Sequence, residues 1–209
     1  MRFVNVRNRD LRVLDFDCEC RPLAWYGGDL VTKQLTAVAW KFVGSKGRPK
    51  VAVIGESDRM SMVLDEEREM LTRFIEAYNQ ADVVTGHFIR GFDLPLVNGS
   101  LVRLGMTPLA DKLSQDTKSD FIKRHGMSLS QENLGAMFEL DHPKVPMNTA
   151  LWEQANMLTP AGIRHTRKRV VGDVEQHIEL RQRMLNGGLL RAPQLWTSQS
   201  PGGSGKYHG

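Results

Sequence analysis

The sequence has little cysteine, little net charge and no long apolar run, and each shortage removes a class of protein. Its 2 cysteines, Cys18 and Cys20, are too close together for a structural disulfide and too few for a zinc site, so the chain is read as belonging to a reducing cytoplasm. Apolar runs such as Leu35 to Trp40 and Val51 to Ile54 fall far short of the ~18 to 20 residues that a membrane span requires, so no transmembrane helix is expected. Met1 to Arg9 is basic but carries no apolar stretch and no small-residue cleavage site, so a secretory leader is not expected either. No internal repeat is visible. What remains is 209 residues, 41% hydrophobic and 25% charged, enough for one domain that buries roughly 70% of its unfolded surface. The expected division is a folded domain over 1–192 and a flexible Ser-, Gly- and Pro-rich tail over 193–209.

The 28 basic residues exceed the 24 acids by only 4, which argues for a polyanionic partner only if the excess is clustered. It is clustered. Between Ala161 and Arg191 stand Arg164, Arg167, Lys168, Arg169, Arg181, Arg183 and Arg191, against Asp173, Glu175 and Glu179. A run of this kind is either a phosphate-binding surface or a solvated helix face.

Period-2 patterning marks strands at Arg12 to Cys20, Leu35 to Val43 and Lys50 to Ile54, and their short connections imply an antiparallel meander. Leu64, Leu71, Phe74, Ile75 and Tyr78 fall at helical spacing and predict a helix over about Asp65 to Asn79. A short strand at Ala81 to Gly86, a helix at Asp93 to Leu104, a strand at Leu113 to Thr117 and a helix at Ser130 to Phe138 follow. Glu139 to Met147, with Pro143 and Pro146, reads as a loop. Thr159-Pro160 and Gly187-Gly188 bracket a last long helix. The fold class is α/β, a mixed sheet in which an antiparallel three-strand meander is continued by parallel strands and flanked by helices.

Asp17 and Glu19 lie two apart at the end of the first strand, so the pleat turns both carboxylates to one side and Phe16, Cys18 and Cys20 to the other. Two acids so placed repel each other unless a hard cation draws both into the ionised form. Asp15 offers a second pairing with Asp17. Asp93 opens a helix just after a strand and its loop, where it can cap the helix, hold a metal or do both. Asp173 borders the apolar stripe Ile163, Val170, Val174, Ile178 and Leu185 of the last helix, and therefore needs a partner or a metal. Gly172 beside it costs helix stability of about 1 kcal/mol, which suits the close approach of another backbone or a ligand.

Asp17-Cys18-Glu19, then Gly86-His87 leading to Phe92-Asp93-Leu94-Pro95, then Asp173-Val174 in a long helix, resemble the three exonuclease motifs of the DEDD superfamily. Those are 3′-5′ exonucleases on a ribonuclease H-like fold, among them the proofreading domains of DNA polymerases. The likeness runs from about Arg12 to Leu185, with Gln115-Asp116-Thr117 and Ser128 to Leu134 resembling the segments between the second and third motifs. It implies that Asp17, Glu19, Asp93 and Asp173 hold two divalent cations, Mg²⁺ or Mn²⁺. The substrate it implies is nucleic acid at single-stranded DNA 3′ ends, with a replication or repair protein as a further partner. Arg164, Arg167, Lys168 and Arg169 would neutralise phosphates, and Trp25, Tyr26 and Phe92 would stack bases.

The chain departs from the motifs in two places. The family carries a water-orienting tyrosine four residues before the third aspartate, or a histidine five before it; here Arg169 and Lys168 hold those positions. His177, four residues after Asp173, shares its face of the helix and is the candidate substitute, with a structural histidine as the plain alternative. Phe88 replaces the asparagine common after Gly-His. Two rival functions therefore stay open: RNA 3′-end trimming on the same fold, and a nucleic-acid-binding module with a degenerate site.

Overall fold

Alternation along the first strand decides which side of the sheet receives carboxylates and which receives carbon. A computed structural model describes residues 11–22, 33–57, 62–122 and 126–198. Its elements are β1 (Val13–Pro22), β2 (Lys33–Phe42), β3 (Lys50–Val53), α1 (Val63–Gln80), β4 (Val83–Gly86), α2 (Asp93–Arg103), β5 (Lys112–Asp116), α3 (Gln131–Met137), α4 (Thr149–Asn156), α5 (Pro160–Asn186) and β6 (Gln194–Trp196). The strands form one six-stranded sheet in the order β3-β2-β1-β4-β5-β6. β2 pairs antiparallel with β1 and with β3, β4 and β5 continue in parallel, and β6 returns antiparallel on β5. This is the expected α/β layout, ribonuclease H-like in its meander and parallel extension.

Leu14, Phe16 and Cys18 point to one face and pack with Met70, Phe74 and Tyr78 of α1 and with Leu94 and Leu101 of α2. Phe74 anchors this layer, its ring centroid 5.0 Å from that of Phe16 and 6.0 Å from that of Trp40. Leu64, expected on this face, is exposed; Val63 takes the inward position instead. On the opposite face Ala37, Ala39 and Val53 meet Val170, Val171 and Val174 of α5. Two alanines on that face of β2 let the helix lie close to the sheet. The Thr159 hydroxyl accepts the Gly162 N–H to cap α5, with Pro160 in its first turn and Gly187 at its end, as the sequence signals.

Glu139 to Met147 carries no helix or strand, as expected. α4 follows it in a stretch for which no element was expected; it is capped by the Asn148 side chain but buries only Ala155, so it has no apolar stripe to betray it. The domain boundary at 193 is too early, because Gln194–Trp196 add a strand to β5 and Trp196 is buried in the main core. Low apolar content across the whole stretch hid a three-residue strand held by one large side chain. Residues 199–209 of the expected tail lie outside the described residues. No described helix is long and apolar enough to cross a membrane.

Candidate active site

Four residues of α-helix advance about 6.0 Å and two residues of strand about 6.6 Å, so a strand and a helix lying antiparallel can keep step. β1 and α5 do so. Glu19 accepts the Arg169 Nε–H at 2.8 Å, Asp17 faces Asp173 across the next rung, and Asp15 lies 2.6 Å from His177 Nδ1 on the third. Asp17, Glu19 and Asp173 each present an oxygen, all within 4.8 Å of one another.

Asp93 joins this cleft by completing a strand edge. β4 pairs with β1 only as far as Asp15, which leaves the Cys18 N–H beyond the end of the ladder, and Asp93 Oδ1 accepts it at 2.9 Å. Close approach at the end of β4 requires Gly86, where a Cβ would stand 2.7 Å from the Phe16 carbonyl oxygen and 2.2 Å from Ile89 Cγ2. The loop that follows is held by the buried carboxylate of Asp116. Its Oδ1 accepts the N–H groups of Phe88, Lys118 and Ser119, and its Oδ2 that of Arg90. Phe88 adopts a left-handed φ of 66°. Its ring lies over Gly91, where a Cβ would come within 2.4 Å, and under Lys118 Nζ, 4.1 Å from the ring centroid. Phe92 similarly lies under Lys33, at 4.8 Å. Both rings line an open cleft of about 240 Å³ together with the four acids.

Burial, followed by the charges of Asp173, Asp93 and Glu19, pushes the Asp17 carboxyl well above the usual range. Burial raises Asp93 to about 8, the Cys18 amide partly opposing it. Glu19 rises to about 7, again by burial, against the pull of Arg169. Asp173 is raised by burial and drawn back by Lys144 and Arg169. Its Oδ2 has Lys144 Nζ at 3.5 Å and Arg169 Nε at 3.7 Å, while its buried Oδ1 has no hydrogen-bond partner among the described residues. An orphaned carboxylate oxygen beside other hard oxygens is a donor set that suits Mg²⁺ or Mn²⁺, so these residues fit a divalent cation.

His177 is not at this site. It is 2% exposed, and both ring nitrogens are committed. The tautomers follow from one carbonyl. His87 Nε2 lies 2.8 Å from the Leu129 carbonyl and must carry the proton, and burial lowers the His87 pKa to about 4, so its Nδ1 accepts. The Thr117 hydroxyl, 3.0 Å away, therefore donates to His87 and accepts from His177 Nε2–H at 2.9 Å. One further proton lies between His177 Nδ1 and Asp15. A histidine so engaged has no nitrogen left for a water in the cleft, and the expected base role is corrected to a structural one. Four residues past Asp173 is a full rung further along β1, opposite Asp15 and away from the acids.

The basic run is divided in the same way. Arg169 enters the cleft, Arg167 pairs with Glu56 beyond β3, and Lys168 points outward, so the three do not form one phosphate-binding surface. Trp25 and Tyr26 lie outside the described residues. Lys144 was missed by the sequence reading. It stands between Pro143 and Pro146 in the connection from α3 to α4, which crosses α5 at Gly172; a Cβ there would meet Val145 Cγ2 at 3.1 Å. What approaches Gly172 is a side-chain methyl and not the backbone or ligand its position suggested, and the visible signal of the crossing was a lysine framed by prolines.

No protein-family model and no curated protein matches the sequence. Among solved structures the chain is similar to the family B DNA polymerase from the hyperthermophilic archaeon Pyrobaculum calidifontis. The identity is 20%, over 84% of this chain and 24% of the polymerase, with a TM-score of 0.55. The likeness is one of fold. The chain spans about a quarter of that polymerase's length.

Proposed function

We propose that the protein is a divalent-cation-dependent 3′-5′ exonuclease that removes nucleoside monophosphates from the 3′ end of single-stranded DNA. The observation that carries this reading is the meeting of Asp17, Glu19, Asp93 and Asp173 in one open cleft, in the chain order of the DEDD motifs. The fold likeness to a DNA polymerase supports it, since proofreading domains belong to the superfamily the sequence resembles. These four carboxylates would hold the catalytic cations. Divalent cations bound there supply the charge that acidifies an attacking water and stabilises the departing 3′ oxygen.

The chain's own groups prepare the substrate. Phe92 lines the cleft where a terminal base could stack, and Lys118, seated over the Phe88 ring, places a cation at the cleft wall for a phosphate. Asp116 fixes Phe88 and Lys118 through the same carboxylate oxygen, so the two keep their relative position before substrate arrives.

The test is incubation of 5′-labelled single-stranded DNA and RNA with Mg²⁺, Mn²⁺ or EDTA, using the intact protein and Asp17→Ala. A cation-dependent ladder shortening DNA from its 3′ end, absent in the variant, is expected. Shortening of RNA alone would move the substrate to RNA. Binding without shortening in either metal would overturn the nuclease and favour a binding module, a reading to which Arg169 and Lys144 beside the acids would then lend weight.

A further inference from the structure

Arg169 is built into the carboxylate cleft and has little freedom to leave it. Its Nε–H donates to Glu19 and one terminal nitrogen donates to the Val145 carbonyl at 2.8 Å. Its guanidinium carbon lies 5.3 Å from the centre of the Trp152 ring on α4, and Asp173, one turn on, is 3.7 Å from Nε. Three elements and a backbone carbonyl hold the group in place, and its side chain is 15% exposed. Lys144, next to Val145 in the chain, adds a second positive charge at 3.5 Å from the same Asp173 oxygen.

The charges can then be counted. Asp17, Glu19, Asp93 and Asp173, ionised, carry four negative charges, and Arg169, Lys144 and Lys118 return three. The remainder falls far short of the charge of two divalent cations. Geometry divides the acids in the same sense, because Glu19 is committed to Arg169 while Asp173 keeps a buried oxygen without a partner among the described residues.

We propose that the Arg169 guanidinium takes the place of one of the two cations, so that the cleft binds a single divalent cation through Asp17 and the free Oδ1 of Asp173, with Asp93 beside them. The inference rests on the exonuclease reading for the purpose of the site, but not for its test. The guanidinium is tethered to the chain and does not exchange with solvent as a bound ion does. The consequence is a site with one exchangeable ion where a two-metal nuclease has a pair about 3.5 to 4 Å apart.

The experiment is a titration of the full chain with Mn²⁺, read by calorimetry and by electron paramagnetic resonance, in which two ions at that separation give an exchange-coupled spectrum. The expected result is one equivalent with an uncoupled signal for the wild-type protein and for Arg169→Lys, which keeps the charge. Arg169→Gln is expected to take a second equivalent and show coupling. Two tight equivalents in the wild-type protein overturn the inference, as does a folded Arg169→Gln that still binds one, or a wild-type protein that binds none. If Arg169→Gln fails to fold, the wild-type stoichiometry alone decides. A wild-type protein that binds one Mn²⁺ yet shortens no nucleic acid would instead overturn the exonuclease and leave this inference standing.

Discussion

Asp15, Asp17 and Glu19 share a strand face and nearly a chemistry, yet their partners on α5 give them three different functions. Glu19 meets a cation, Asp17 meets another acid, and Asp15 meets a histidine with which it shares a proton. Strand alternation and helical period could orient both sets of residues, which is why Asp17, Glu19 and Asp173 were legible in the sequence; Asp93, at the start of α2, was visible only from its place after a strand and loop and from the motif. A helical wheel gives direction but not distance, so it could place His177 on the right side of α5 and still miss that it faces Asp15. His177→Ala leaves a fully buried Asp15 without its partner and opens the chain that runs through Thr117 to His87. Its expected effect is a loss of about 3 to 5 kcal/mol in unfolding free energy, measured by urea denaturation. A general base would show the opposite pattern, with turnover reduced and stability nearly unchanged.

The corner between α4 and α5 positions Arg169, because Trp152 of α4 packs against its guanidinium. Gly162 makes the corner possible. A Cβ there would stand 2.2 Å from the Gln154 carbonyl oxygen and 2.5 Å from the Ala155 nitrogen, both backbone atoms that cannot turn aside. Gly162→Ala must therefore push α4 away, and a loss of about 2 to 3 kcal/mol is expected in urea denaturation. Gly172→Ala, further along the same helix, meets only a valine methyl at 3.1 Å. There the gain in helix propensity of about 1 kcal/mol offsets the contact, and stability should change by less than about 1 kcal/mol. Nothing in the local sequence of α4 announces this corner. Its helix fully buries only Ala155 and packs against α5, a tertiary effect that periodicity does not register.

At the scale of the whole molecule, the meander and its parallel continuation were legible, though β6 was not, because strands joined by short loops must pair antiparallel and strands separated by a helix can pair in parallel. What the sequence did not display was that the open cleft gathering the four acids answers them with Arg169 and Lys144, which lie 25 residues apart. That concentration of like charge should govern how stability varies with pH. Burial raises Asp93 to about 8 from an ordinary 3.8 and Glu19 to about 7 from 4.5, and Asp17 and Asp173 shift the same way. Each acid thus holds its proton more tightly folded than unfolded. Its contribution to stability is complete below the unfolded pKa and is lost as pH rises through the folded one. In EDTA the melting temperature should therefore fall between about pH 4 and about pH 8, against the usual trend for paired carboxylates. A divalent cation binds the ionised acids and should raise the melting temperature more at the upper end of that range than at the lower, by mass action on the folded state. Differential scanning calorimetry across the range, with EDTA and with Mg²⁺, measures both slopes. A melting temperature in EDTA that rises over this window would show that Arg169 and Lys144 already outweigh burial and keep the cleft ionised without a metal.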